Sequence, residues 1–226
     1  MNSKYKILKY KSQNTSEVED LISIEEPLEI SIAFKKNDTF HKKTISVTMR
    51  TPGADSDLVR GFLFNERIIE DINHIKKIES IGKNVGQYKL QNKILITLNN
   101  SENVDIDKIK RNFLTNSSCG VCGKTSLDSL EIIKNDKVLK SLPKITHELI
   151  MKSPPLLRKN QSEFSKTGGI HASGLFSDDG NLVAIREDVG RHNALDKLIG
   201  HSLNKKILDS KSQFITCSGR LNFELV

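Results

Sequence analysis

Residues 168–197 read GGIHASGLFSDDGNLVAIREDVGRHNALDK, a stretch that predicts two strands and a helix in close succession. Ile170–Phe176 and Leu182–Arg186 are the two strands of a hairpin whose turn is residues 178–181. Asp188 can cap the helix that follows. The buried stripe of that helix consists of Ala194, Leu195, Leu198 and Ile199.

The N-terminal part predicts strands before helices. Residues 28–34 and 43–49 alternate apolar and polar side chains, which indicates two antiparallel neighbouring strands. A helix capped by Asp55 or Ser56 follows, and Gly61 in its middle suggests close packing there. A strand near 75–81, a hairpin of 87–90 with 93–98, and a helix from Asp105 complete an α+β pattern.

Beyond residue 116 the pattern turns to helices followed by the strands described above. Segments 125–133 and 146–151 and a helix from the Pro154-Pro155 pair to about Ser165 are predicted helices. An extended piece at 138–142 and a central strand at Gln213–Cys217 are also expected. We therefore predict an N-terminal α+β domain (1–116), a mobile loop (117–124) and a C-terminal α/β domain (125–226).

Composition excludes several classes of protein. The 226 residues include 35 Lys+Arg and 28 Asp+Glu, a net charge of +7 that suits an anionic partner. The lysines are scattered and aromatic residues make up only 5%, which argues against nucleic-acid binding. Three cysteines do not fit a secreted disulfide framework, and no apolar run is long enough for a membrane span. A cytoplasmic protein is expected.

A Cys-x-x-Cys pair, Cys119 and Cys122, lies in the loop Ser117–Lys124 with a glycine after each cysteine. Lys124 would favour the thiolate forms, because a nearby cation stabilises the negative charge. Four interpretations are open at this point. They are a zinc half-site, which would need a second ligand pair, a redox pair in a βαβ unit, a mobile sulfur carrier, and two loop residues without chemistry.

Two further clusters are candidate sites. Glu187–Asn193 places two acids, an arginine and a histidine between a strand and a helix, where open α/β sheets bind ligands; a helix cap explains the segment equally well. Ser218-Gly219-Arg220 precedes a predicted helix start at Leu221, an arrangement that can cradle a phosphate. Taken alone, His171 is more often structural, and Cys217 is interpreted as a buried strand residue.

Five blocks of the sequence together resemble the formate dehydrogenase accessory protein (FdhD/NarQ) family. They are Arg50-Thr51-Pro52-Gly53 with Gly61-Phe62-Leu63-Phe64, the segment Ser118–Gly123, the segment Thr167–Phe176, the segment Glu187–Lys197, and Ser218-Gly219-Arg220 with Phe223-Glu224. The blocks occur in family order from about residue 27 to the last residue, and the fourth is highly specific.

The resemblance implies a sulfurtransferase, or sulfur carrier. Such a protein takes persulfide sulfur from a cysteine desulfurase and passes it to the bis-guanine-dinucleotide form of the molybdenum cofactor, before that cofactor enters formate dehydrogenase. On the family pattern Cys119 carries the persulfide and Cys122 assists. We expect the cofactor, or GDP as its mimic, at His171, Arg191, His192, Ser218, Gly219 and Arg220. We expect no tightly bound metal, and we expect the protein to form a homodimer.

The resemblance also implies a fold. The C-terminal region of the family is similar to the cytidine deaminase fold, an α/β/α sandwich. Deaminases place a glutamate proton shuttle after their zinc ligand, whereas here Ala172 and Ser173 follow His171, so the hydrolytic machinery is absent. The family continues past the match to Phe223-Glu224 with further sheet and helix, so the resemblance predicts that the sandwich is truncated at the C-terminus.

Two other functions remain as alternatives. A zinc-dependent deaminase-like enzyme would bind about one zinc per chain through Cys119, Cys122 and His171. A cofactor-binding chaperone with incidental cysteines would keep its activity when both cysteines of the Cys-x-x-Cys pair are replaced.

Overall fold

The secondary structure is that of a computed structural model, which describes residues 1–11, 14–36, 38–99, 143–222 and 225. Within them the strands are β1 Asn2–Lys11, β2 Asn14–Ser23, β3 Glu26–Lys36, β4 Thr39–Arg50, β5 Ile75–Ile81, β6 Lys93–Leu98, β7 His171–Ser177, β8 Leu182–Asp188 and β9 Gln213–Cys217. The α-helices are α1 Asp55–Asn65, α2 His147–Asn160, α3 Ser162–Thr167 and α4 Arg191–Lys205, and a 3-10 helix spans Ile72–His74.

A four-stranded sheet has the strand order β4-β3-β6-β5. β3 and β4 are antiparallel neighbours as predicted, and β6 lies parallel to β3 on its other side. The predicted hairpin of residues 87–90 with β6 is wrong, because β6 pairs with β3 and β5 instead. Ile94, Ile96 and Leu98 of β6 are buried, and this burial requires a strand on each side of β6, whereas a hairpin gives it only one short partner.

Helix α1 covers one face of the four-stranded sheet and touches α4 with its other side. Leu58, Val59 and Leu63 are buried in one cluster with the strand residues. At the helix–helix contact a Cβ built on Gly61 would lie 1.9 Å from the carbonyl oxygen of Asp196, and one on Gly200 1.9 Å from that of Asp57. The close packing predicted at Gly61 is therefore confirmed.

A three-stranded sheet in the order β8-β7-β9 lies between α2 and α4. Leu157 of α2 packs against Ala172 and Phe176 on one face. Arg186 on the other face hydrogen-bonds His201 of α4. The prediction that β9 is central is wrong within the described residues: β7, whose residues 172–176 are all buried, is the central strand.

The region before the three-stranded sheet folds as one long helix and one short one. Thr146 caps α2 as predicted, accepting a hydrogen bond from Leu149 N at 3.3 Å. The predicted helix break before Pro154 and Pro155 is wrong, because α2 continues through both prolines to Asn160. Each proline removes a backbone donor, and the burial of Leu157 against the sheet offsets that cost.

No strand is predicted before Leu28, whereas β1 and β2, with ten residues each, form an antiparallel pair. Most of its side chains are exposed, and ion pairs join the strands at Lys4–Glu19 and Lys6–Glu17, both 3.3 Å. A strand without a buried face has no period-2 apolar pattern, so the usual sequence signal is missing.

The described chain is thus mixed α/β, with helices on both faces of the three-stranded sheet. Similarity to the cytidine deaminase fold stays a prediction. The predicted boundaries at 116 and 125 and the elements expected at 105, 125–133 and 138–142 lie outside the described residues. Among the helices that the structure describes, none has the length and apolar character needed to cross a membrane.

Replacement of Asp196 with asparagine is expected to stabilise the protein at alkaline pH. Burial raises the pKa of Asp196 to about 8, Glu66 and Asp188 add to the rise, and the hydrogen bond from Asn65 opposes it. Between pH 4 and 8 the folded state therefore holds a proton that the unfolded state lacks, so stability falls as pH rises through this window. Asparagine removes that fall and should gain about 1–3 kcal/mol at pH 9.

The measurement is urea unfolding of both proteins at intervals from pH 5 to pH 9. Parallel stability curves for the parent and Asp196→Asn would show that this carboxylate is not the origin of the pH dependence.

Candidate functional site

Three segments meet at one edge of the three-stranded sheet. β7 begins there with His171, while β8 and β9, antiparallel to it, end there at Asp188 and Cys217. The register pairs His171 with Asp188 and Ser173 with Cys217. The start of β7, the start of α4 and the segment after β9 therefore share one corner of the molecule.

The segment after β9 is held in place at both ends. Ser218 Oγ accepts a hydrogen bond from Ala172 N at 2.8 Å, and Ser218 N donates to Ala172 O at 2.9 Å. Asn222 Oδ1 lies 3.2 Å from His192 Nε2 and accepts from it. These bonds fasten residues 218–222 to β7 on one side and to α4 on the other.

Gly219 passes between two of the predicted site residues. A Cβ built on it would lie 3.1 Å from His171 Nδ1 and 3.4 Å from Arg191 Cβ. A larger residue would push against one of these side chains, so glycine permits the backbone to approach both. Gly219 therefore lies directly beside both His171 and Arg191.

The N-terminus of α4 opens onto this group. Its N-cap is Gly190, which has no side chain with which to cap the helix, so the positive end of the helix dipole faces this group without a cap from that residue. Arg191 is the first helical residue, and its Nε is buried with no hydrogen-bond partner among the described residues. A buried guanidinium donor at the positive end of a helix dipole is an arrangement that binds anions.

The structure separates the acids of the segment Glu187–Asn193 from its bases. Glu187 turns away and accepts hydrogen bonds from the N–H groups of Glu163 and Phe164 at 2.9 Å each. Asp188 is fully buried and pairs with Lys197 Nζ at 2.6 Å. Among the residues that the structure describes, the charged side chains left at the corner are therefore basic, which favours a negative group there.

The titratable side chains at the corner have shifted pKa values. Burial lowers the pKa of His192, and Arg191 lowers it further. The hydrogen bond between His192 and Asn222 acts in the opposite direction and raises this pKa. Burial raises the pKa of the Cys217 thiol, whose Sγ lies 3.4 Å from Ser173 Oγ.

Six predicted site residues fall in the described structure. Gly219 lies beside both His171 and Arg191, and Ser218 and His192 hold the surrounding backbone. Arg220 is exposed on the same segment. The predicted helix does not start at Leu221, because Leu221 and Asn222 are not helical; Leu225 lies in a 3-10 turn and donates to Asn222 O at 3.0 Å, and the α-helix that faces the turn is α4. Cys119 and Cys122 lie outside the described residues.

Three residues that fix this corner, Thr51, Lys197 and Asn222, were not predicted as site residues. Lys197 lies on the buried stripe of α4 between Ala194 and Leu198, and a lysine in such a stripe is a signal for a buried ion pair. Among the described residues, no group of three or more His, Cys, Asp and Glu is placed to hold a metal ion.

Comparisons with known proteins agree over almost the whole chain. The FdhD/NarQ family model matches residues 24–226. The chain is 37% identical to the sulfur carrier protein FdhD of Sulfolobus acidocaldarius over 223 residues, which cover 99% of this chain and 78% of the relative. It is 41% identical to that of Picrophilus torridus (92% and 74% covered) and 36% identical to that of Streptomyces coelicolor (97% and 76% covered).

A solved structure shares the fold. The crystal structure of a candidate formate dehydrogenase accessory protein from Desulfotalea psychrophila superposes with a TM-score of 0.62 at 20% identity. The match covers 100% of this chain and 78% of that one.

Proposed function

The chain belongs to the FdhD/NarQ family, and from that membership we propose that it is a sulfur carrier serving formate dehydrogenase. The observation that carries the proposal is the similarity over 99% of the chain to a protein named as a sulfur carrier, combined with a Cys-x-x-Cys pair in this sequence. We propose a cytoplasmic homodimer whose sulfur donor is a cysteine desulfurase.

The first chemical step is transfer of a sulfane sulfur to Cys119. The Cys119 thiolate attacks the outer sulfur of the donor's cysteine persulfide, the donor's S–S bond breaks, and the donor leaves as a thiolate. The product is a Cys119 persulfide, and no electrons are gained or lost overall. Lys124 supports the step because a cation raises the thiolate fraction.

The second step delivers the sulfur to the molybdenum bis-guanine-dinucleotide cofactor, which is the cargo. Release of a sulfane sulfur as sulfide consumes two electrons. The Cys122 thiol can supply them by attacking Cys119, which closes a Cys119–Cys122 disulfide and frees sulfide. Sulfide then replaces an oxygen ligand of the molybdenum, and the oxygen leaves as water.

The corner formed by His171, Arg191 and Gly219 suits the phosphates of this cargo. The uncapped first turn of α4, the buried Nε of Arg191 and the exposed Arg220 are all donors or positive charges. A guanine dinucleotide carries several phosphates, which such groups bind by charge-assisted hydrogen bonds. We therefore propose that this corner holds a phosphate of the cofactor, and GDP is its probe.

Persulfide formation on Cys119 is the test of the carrier function. After incubation with a cysteine desulfurase and cysteine, the intact mass should rise by one sulfur atom and return to its original value on treatment with a thiol reductant. Cys119→Ala should lose the increment. Cys217→Ala is the matched control and should keep it, because Cys217 is half-buried and its thiol pKa is raised.

Persulfide that forms equally well on Cys119→Ala would refute the assignment of the carrier residue. Cofactor delivery that survives replacement of both Cys119 and Cys122 would favour the alternative, a cofactor-binding chaperone. One zinc per chain that disappears with His171→Ala would favour the deaminase-like enzyme.

Arg220→Ala should weaken GDP binding about tenfold. The side chain is exposed, so its hydrogen bond to phosphate lies at the lower end of the range of about 1.5–3 kcal/mol for bonds to charged groups. Arg220→Lys should recover only part of the affinity, because an ammonium lacks the planar fork of donors. Isothermal titration with GDP measures both variants, and unchanged affinity would place the phosphate elsewhere.

A further inference from the structure

A buried ion pair lies directly beneath the proposed anion site. Lys197 Nζ is 2.6 Å from Asp188 Oδ2, and the two side chains are 3% and 0% exposed. Neither can reach a cofactor or a partner protein. Any influence on the site must therefore act through the residues that the pair holds.

The Asp188 carboxylate joins the start of α4 to the turn after β4. Its Oδ1 accepts from Gly190 N at 2.9 Å and from Asn193 Nδ2 at 3.2 Å. Its Oδ2 accepts from Lys197 Nζ and, at 3.2 Å, from Thr51 N. One carboxylate thus receives donors from both sides of the contact between α4 and the N-terminal sheet.

Further hydrogen bonds complete the same connection. Lys197 Nζ donates to Thr51 O at 2.7 Å, and Val189 N donates to Thr51 Oγ1 at 3.1 Å. Asn193 Nδ2 also donates to Met49 O at 2.7 Å. The backbone on either side of Gly190 is consequently fixed to residues 49–51.

These hydrogen bonds hold the start of α4 in place, as a capping side chain would. α4 has no side-chain cap, and the N–H of its N-cap Gly190 is held by Asp188. A side chain at the N-cap would occupy the first-turn N–H groups that an anion needs. The buried pair instead fixes the helix end from its protein-facing side, and no cap from the N-cap residue covers the other side.

Stability alone gives no reason for such a pair. Burying two charges costs desolvation energy, and apolar residues of similar size are often as stable or more so. Burial raises the pKa of Asp188, whereas Lys197 and the other donors act to lower it. The pair is explained more directly by the geometry that it imposes on residues 189–193.

We propose that Asp188 and Lys197 are positioning residues, which hold the first turn of α4 so that its N–H groups and Arg191 converge on the phosphate. This inference rests on the anion site of the proposed function. Loss of the pair should therefore reduce phosphate binding by more than its effect on stability explains, since small displacements of a positioned group are costly.

The test compares three variants of the full chain with the parent. Lys197→Met should weaken GDP binding about tenfold or more and increase amide hydrogen exchange at residues 190–193. Thr51→Val keeps the ion pair and loses only the hydrogen bond from Val189, so it should fold and weaken GDP binding about fivefold. Ile96→Ala is the control for lost stability, because Ile96 is fully buried in the four-stranded sheet.

The expected result is weaker GDP binding and faster exchange at 190–193 in Lys197→Met, with neither change in Ile96→Ala. If Lys197→Met does not fold, the same two measurements on Thr51→Val test the proposal. Parent protein that binds neither GDP nor inorganic phosphate would overturn the anion site itself. If the parent binds GDP and Lys197→Met, or Thr51→Val in its place, binds it equally well, only the positioning role would be overturned.

Discussion

Replacement of Gly200 with alanine is expected to lower the free energy of unfolding by about 3 kcal/mol or more. The new Cβ would stand 1.9 Å from the carbonyl oxygen of Asp57, a backbone atom of α1 that no rotamer change can move. The two helices must separate, and separation disturbs both sheets because α1 covers one and α4 covers the other. Gly61→Ala should act similarly, since its Cβ would meet Asp196 O at 1.9 Å.

Gly169→Ala is the matched control for both glycine variants. A Cβ at Gly169 would have no neighbour closer than 3.9 Å, so its effect should stay within about 0.5 kcal/mol. Thermal or urea unfolding of the variants measures the difference. Equal stability of Gly200→Ala and Gly169→Ala would mean that α1 and α4 are not in backbone contact in solution.

Arg191→Ala is expected to weaken GDP binding about a hundredfold. Arg191 Nε is buried, has no hydrogen-bond partner in the described part of the chain, and lies at the N-terminal end of α4. A desolvated cation forms stronger hydrogen bonds to phosphate than an exposed one, which places this residue at the upper end of the range, about 3 kcal/mol. The loss should therefore be about ten times that of Arg220→Ala.

Arg60→Ala removes the same charge at a distance and serves as the control. Arg60 lies on α1 and pairs with Asp57 at 3.7 Å. Asp57 also pairs with His201, which lies far along α4 from the N-terminus of that helix. Isothermal titration should show parent-like affinity for this variant. Equal losses in Arg60→Ala and Arg191→Ala would show that net charge, and not the corner at the start of α4, attracts GDP.

Local sequence patterns predicted most strands and helices that have a buried face. β3 and β4 have clear alternation because one side of each strand packs on α1, and the helical stripe of α4 follows from its two contacts. The hairpin of β1 and β2 escaped prediction because it buries neither face. β9 lies at the edge of the sheet formed by the described strands, and this position was not predicted because strand order is set by pairing between distant segments, which local apolar content does not reveal.

The candidate site was predicted in its residues but not in its arrangement. The sequence places His171, Arg191, His192 and Ser218-Gly219-Arg220 in separate segments, and their chemistry alone suggests a place for an anion. The helix whose N-terminus faces the site is α4, whereas the prediction was a helix after Arg220, because the turn residues favour a helix start there locally. Only the pairing of β7 with β8 and β9 brings the start of α4 to that turn.

The sequence by itself determined the family, the Cys-x-x-Cys pair and the residue types available for an anion, because these depend on chemical identity and on order along the chain. The tertiary structure alone decided which charges face the site. Glu187 and Asp188 precede Arg191 by only four and three residues in the sequence, yet hydrogen bonds to α3 and to Lys197 direct both acids away from the corner. The physical reason is that a buried carboxylate must find donors, and these donors come from segments 24 and 137 residues distant in the chain as well as from α4.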